Sequence, residues 1–180
     1  MSLEINALLV SIAEGKMNAL GEIYTMLSVR IFNYARAITR NKESAEDVTH
    51  DVFIQIHKHA SRLAKMDNPV AYIMVATRNQ SFDYMKRNKR TADSLEDMSE
   101  KEGTFQPQNR LFVEDALMQL PVNQRETVYL HYICGYTHKE VSKIMGVPLA
   151  TVKWRCGKAL TQLQAYFLHD NKEGLCDEIT

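Results

Sequence analysis

The chain has 180 residues, room for one ordinary domain or two small ones, and its 45% apolar content excludes wholesale disorder. Its 22 Lys and Arg balance 22 Asp and Glu, so no overall field marks a nucleic-acid binder. With only seven Gly and four Pro, its long stretches of helical periodicity predict an all-α protein. Cys134, Cys156 and Cys176 are odd in number and form no CxxC pair, which argues against a disulfide framework. A basic leader and a membrane-length apolar run are both lacking, and the expected location is the cytoplasm.

In chain order, Leu8, Leu9 and Ile12 predict a short helix that stops near Gly15. Leu20, Ile23, Tyr24, Leu27, Ile31, Tyr34, Ala35 and Ile38 then trace one apolar stripe, the buried face of a long second helix. Ser44 followed by Asp47 has a capping-box pattern and opens a third helix, with Val48, Val52, Phe53 and Ile56 facing the core; it fades near Ala60. A loop is expected over Leu63–Asn68. Asn68 is the expected N-cap of the next helix and Pro69 its first residue, where a missing N–H costs nothing. That helix runs to about Asn88. Residues Thr91–Gln108 are polar and acidic and lose the periodicity, which predicts a flexible linker. A helix over Asn109–Gln119, a break at Leu120–Pro121 and a helix over Val122–Cys134 stopped by Gly135 follow.

The stretch from Tyr136 to Leu163 carries the most information. Thr137 with Glu140 forms a second capping box, and Val141, Ile144 and Met145 make one apolar face. Gly146 suits a helix end because it takes positive φ at little steric cost. Val147 and Pro148 lead into another helix, with Val152, Cys156, Ala159, Leu160 and Leu163 expected on the core side. Thr151, Lys153, Arg155 and Lys158 lie on the other side. A helix anchored by one face, with basic and hydroxyl groups on the other, suits a DNA major groove. An amphipathic hairpin with a solvated basic face fits the same pattern.

The balanced charge is unevenly distributed. Between Val70 and Arg90 the cations Arg78, Lys86, Arg87, Lys89 and Arg90 face Asp83 alone. Asp93, Glu96, Asp97, Glu100 and Glu102 reverse the sign, and the tail after His169 is acidic again. Averaging therefore hides two basic surfaces able to attract phosphates.

Four segments together resemble the bacterial RNA polymerase sigma factors, in particular the small extracytoplasmic-function (ECF) subfamily. They are AEDVTHDVF (45–53), RNQSFDYMKRNKR (78–90), LMQLPVNQR (117–125) and GYTHKEVSKIMGVPLATVKWRCGKAL (135–160). The resemblance implies two small helical domains joined by the acidic linker: sigma region 2 over 1–90, linker 91–108, sigma region 4 with the helix-turn-helix over 109–168, and an acidic tail over 169–180. It implies core RNA polymerase, promoter DNA and an anti-sigma factor as partners, with no small-molecule substrate, no cofactor and no membrane insertion. Asp47, His50, Asp51 and Gln55 would then belong to the polymerase-docking surface; solvation and a favourable helix-dipole contact also account for such carboxylates. Arg78, Asn79, Gln80, Lys86, Arg87, Lys89 and Arg90 would face the minus-ten region, where basic groups hold phosphates and amides reach base edges. Tyr72, Phe82 and Tyr84 are the aromatics available there, Tyr72 being expected in the core. The loop over Leu63–Asn68 would help hold a flipped base. Thr151, Lys153, Trp154, Arg155 and Lys158 would meet the minus-thirty-five element, Trp154 against sugar, a thymine methyl or the domain's own surface. Three departures stand out: His50 where the family usually has Gln, Tyr72 in place of Trp, and TVKWRC where the family is closer to TVKSRL.

An enzyme finds little support, since no Walker loop, nucleophile elbow or HExxH occurs. His57 and His59 diverge on a helix, and His131 with Cys134 lacks a second ligand pair, so no metal site is expected. The rival reading is a stand-alone helix-turn-helix regulator that binds an operator without polymerase. It accounts for Tyr136–Leu163 and leaves Ala45–Arg90 without a purpose.

Overall fold

The computed structural model describes residues 2–92 and 108–173, so most of the expected acidic linker (93–107) and the end of the tail (174–180) lie outside it. Every regular element among the described residues is helical, as the periodicity implied. The chain divides into two compact units, Met1–Glu96 with Lys143–Gly146 and Asp97–Ser142 with Val147–Thr180.

The first unit holds α1 (Ser2–Ala13), α2 (Asn18–Thr39), α3 (Lys42–Lys58), α4 (Ala60–Leu63) and α5 (Pro69–Ala92). α2, α3 and α5 pack on one another, and α1 lies against α2 and α4. Ile23, Leu27 and Ile31 meet Val48, Val52 and Ile56, with Ile5, Leu9 and Ile73 completing the core. The predicted stripe on α2 holds at its centre and fails at its edge. Tyr24 lies one residue, about 100° around the helix, from Ile23. It is 53% exposed and rests its ring 4.7 Å from that of Phe53.

The start of α3 differs from the expected Ser44–Asp47 box. Arg40 takes a left-handed φ of 60° at the end of α2, turning the chain so that Asn41 becomes the cap. Asn41 Oδ1 accepts the Ser44 amide at 2.7 Å, and Ser44 is buried, its Oγ accepting from Asn88 Nδ2 at 3.0 Å. The expected loop begins later than predicted, because Ala60 and Leu63 are buried in the extra turn α4. At α5 the expectation holds: Asn68 Oδ1 accepts the Ala71 amide at 3.0 Å, and Pro69 is the first helical residue.

In the second unit, α6 (Gln108–Gln119), α7 (Val122–Val128) and α9 (Leu149–Glu173) bury Leu117, Leu120, Val128 and Ala159 together. The single helix expected over Val122–Cys134 is instead α7 followed by a π-helical turn, Tyr129–Ile133. Its wider ring is closed by the Cys134 amide on Tyr129 O at 2.9 Å. Arg125 is 1% exposed. Its Nη1 donates to Met118 O at 3.3 Å and Leu120 O at 3.2 Å, at and just past the end of α6, where helical amide donors run out. α8 (His138–Met145) follows the π turn, and His138 stacks on His131 with ring centroids 3.9 Å apart. Tyr136 O lies 2.7 Å from His131 Nδ1, so that nitrogen carries the donating proton.

Replacing Arg125 with Met leaves buried carbonyls without a charged donor, and should lower stability by about 1.5–3 kcal/mol in denaturant unfolding. Burial first, then His131 and Lys153, hold the His138 pKa below its ordinary 6.5. Unfolded His138 therefore takes up a proton at higher pH than folded His138. This contribution to stability is complete above about pH 6.5 and is lost as pH falls toward the folded-state pKa. His138→Gln should show a smaller drop in denaturation midpoint between about pH 7.5 and about pH 5.5.

Candidate nucleic-acid and protein-binding surfaces

The helix-turn-helix is built by local chemistry. Thr137 and Glu140 form the capping box reciprocally: the Glu140 amide donates to Thr137 Oγ1 at 3.3 Å, and the Thr137 amide donates to Glu140 Oε2 at 2.8 Å. Gly146 ends α8 at φ 66°, and Ser142 Oγ donates to Val147 O at 2.6 Å, holding the turn closed. α9 then starts after Pro148. Val152, Cys156 and Ala159 are buried, and burial raises the Cys156 thiol pKa, in keeping with a small inert hydrophobe. Leu160, expected beside them, is 40% exposed because it lies at the seam's edge.

That seam turns Lys153, Trp154 and Lys158 outward, whereas Thr151 and Arg155 are half-buried at the margin of the same face. Trp154 is 61% exposed, and Lys158 Nζ stands 5.2 Å from the centroid of its ring.

On α5 the basic residues are dressed by aromatics. The Arg78 guanidinium carbon lies 4.7 Å over the Phe82 ring, and that of Arg87 lies 4.5 Å over Tyr84. Asn79 and Lys86 are exposed, and Lys86 stands 3.8 Å from Asp83. Gln80 is half-buried, with its Oε1 shielded from solvent. Lys89 and Arg90 continue the helix, and their side chains lie outside the description. Tyr72, expected in the core, is 39% exposed at the core's edge, where the Arg62 guanidinium carbon lies 5.5 Å from its ring centroid. The turn before α5 is tied to α1 by Asn6 Nδ2, which donates to Met66 O at 3.3 Å.

On α3, Asp47, His50 and Gln55 are exposed and Asp51 is half-buried. His50 lines a groove of about 380 Å³ between α2 and α3, with Tyr24, Val29, Phe32 and Glu46. Asp51 instead faces α5, its Oδ2 accepting from the Tyr84 hydroxyl at 3.0 Å. Burial first, and then Asp51 and Asp47, push the Tyr84 phenol above its ordinary pKa of 10.0, so it remains a donor. Sequence reasoning paired neither Tyr84 with Asp51 nor Asn88 with Ser44; the only available signal was a polar residue on each helix face. Among the described residues, no cluster of three or more His, Cys, Asp or Glu can hold a metal, and no helix is long and apolar enough to cross a membrane.

The family model for Sigma-70 region 2 matches residues 23–91, and that for Sigma-70 region 4 matches residues 113–163. The chain is 27% identical over 158 residues to the ECF RNA polymerase sigma factor SigM of Mycobacterium tuberculosis, covering 87% of this chain and 81% of that protein. It is 25% identical over 155 residues to the ECF RNA polymerase sigma factor SigM of Bacillus subtilis, covering 81% and 93%. The fold is similar to that of the sigma factor RpoE, solved in complex with the anti-sigma factor NepR from Bartonella quintana. The TM-score is 0.72 at 19% identity, covering 81% of this chain and 94% of that one. With the two matched regions taking in the larger part of the chain in the expected order, the protein belongs to the sigma-70 family of RNA polymerase sigma factors, in its ECF subfamily.

Proposed function

We propose that the acidic face of α3 docks on core RNA polymerase, that α5 meets the minus-ten region and that α9 enters the major groove of the minus-thirty-five element. As an ECF sigma factor, the chain is a transcription initiation factor that directs core polymerase to specific promoters. The observation that carries the assignment of surfaces is the open face of α9. Lys153, Trp154 and Lys158 leave a helix whose opposite side is buried, in the second helix of a helix-turn-helix. The exposed acidic Asp47 on α3 and the cationic end of α5 supply the other two contacts by charge, one suited to a basic protein surface and one to phosphates.

Sigma factors are not enzymes, and this reading assigns recognition rather than catalysis to these side chains, with no cofactor or small-molecule substrate. Core polymerase works in the cytoplasm, which is the compartment the reading assigns. An anti-sigma partner is also proposed, by likeness to the Bartonella quintana sigma factor solved with NepR. Mixing the purified chain with core polymerase tests the whole. A stoichiometric complex that starts transcription at defined promoters supports it. Binding to an operator duplex by a chain that leaves polymerase untouched overturns it in favour of a stand-alone regulator.

Asp47→Lys should weaken binding to core polymerase severalfold, most strongly at low salt, with helical content unchanged because the side chain is exposed. Arg155→Ala should weaken promoter binding evenly across sequences and lower the salt slope by about one unit, since a guanidinium at the margin of the face meets phosphate. Binding titrations at several salt concentrations check both outcomes.

A further inference from the structure

The centre of the outward face over the first three turns of α9 is small or apolar, with its cations set to either side. Ala150, Trp154, Gly157 and Thr161 recur at spacings of four and three, all exposed, directly opposite the buried Val152, Cys156 and Ala159. Arg, Lys, Asn and Gln are absent from these four positions, and the line meets its first amide at Gln164, three residues further on. The Thr161 hydroxyl donates to Gly157 O at 3.1 Å, back onto its own helix. Lys153 and Lys158 flank the line, and Arg155 lies half-buried at its margin. Ala150 and Gly157 leave room on either side of the indole, and a methyl group added at Gly157 would meet no atom within 4 Å. The most prominent group on the face is thus a large apolar ring, with the Lys158 ammonium 5.2 Å from its centroid.

In the major groove a base pair offers an apolar side chain one distinctive partner, the C5-methyl of thymine. We propose that Trp154 is the specificity-determining residue of α9 and reads thymine methyl groups in the minus-thirty-five element. The flanking lysines then hold phosphates and supply affinity without sequence. Lys158, stacked over the indole, also limits the ring's rotation and keeps positive charge beside it as it enters the groove. This inference rests on the placement of α9 proposed above, and adds which chemical group that helix recognises.

The test uses holoenzyme assembled from the full chain and core polymerase, with promoter duplexes that this holoenzyme selects from a random library. Each thymine of the selected upstream element is replaced singly by deoxyuridine, which removes the methyl and keeps the pairing. At one or two positions the wild-type holoenzyme should bind about fourfold more weakly per methyl lost. Trp154→Ala should bind the thymine duplex no better than wild type binds its deoxyuridine counterpart, and should be indifferent to the replacement. Trp154→Phe, which keeps a smaller ring, should retain part of the discrimination. Exposure of the side chain keeps the fold of these variants intact, which their helical content will verify. A wild type insensitive to every methyl, or a Trp154→Ala holoenzyme as sensitive as wild type, overturns the methyl contact while leaving α9 in the groove. A wild-type holoenzyme that selects no upstream element overturns the placement of α9 and this inference with it.

Discussion

The buried seam of Val152, Cys156 and Ala159 is the constraint on which the proposed recognition surface depends. A helix anchored along one line has a single rotation about its axis. Each outward residue is therefore fixed in direction by three residues that are themselves buried in the domain. The seam turns Trp154 to the middle of the open face and leaves Arg155 at its margin. α3 obeys the same rule: burying Val48, Val52 and Ile56 turns Asp47 outward, and brings Asp51 round toward the neighbouring helix.

That neighbour is α5, and the two helices are tied by more than apolar packing. Tyr84 donates to Asp51, Asn88 donates to Ser44, and the Arg87 guanidinium covers the outer face of the same tyrosine. Part of the charge on Asp51 is thereby satisfied within the chain, and Asp47 is the more exposed carboxylate of the two. The surface proposed to dock on polymerase and the helix proposed to meet the minus-ten region thus share hydrogen bonds. α3 and α5 are held to each other by bonded groups as well as by their shared core.

The second unit solves a different problem, the ending of short helices close to one another. Where α6 stops, the chain beyond it no longer continues the helical ladder, and the Leu120 amide turns back to Leu117 O at 3.1 Å. Arg125 reaches back from α7 to donate to Met118 O and Leu120 O, at the cost of burying a guanidinium, a burial these hydrogen bonds make tolerable. The π-helical turn then lengthens the path before α8 begins, and the stacked His131 and His138 lie across that join. Burial first, and then the neighbouring His131 and Lys153, disfavour a charge on His138 in that stack.

The helix order, the caps at Asn68, Thr137 and Glu140, the stop at Gly146 and the centres of the apolar stripes were legible in the amino-acid sequence. Each depends on residues within four positions of one another, and the helical repeat converts such spacing into geometry directly. The same holds for the outward direction of Lys153, Trp154 and Lys158. Only the tertiary structure decided that Ser44 is a buried acceptor instead of a cap, that Asp51 belongs to Tyr84, and that Tyr24, Tyr72 and Leu160 lie at the edge of burial. Tyr84 and Asp51 are 33 residues apart, and Ser44 and Asn88 are 44 apart. Periodicity within one helix says which side is apolar; how far burial extends around that side, and which polar group waits there, is set by the neighbouring helix and its rotation.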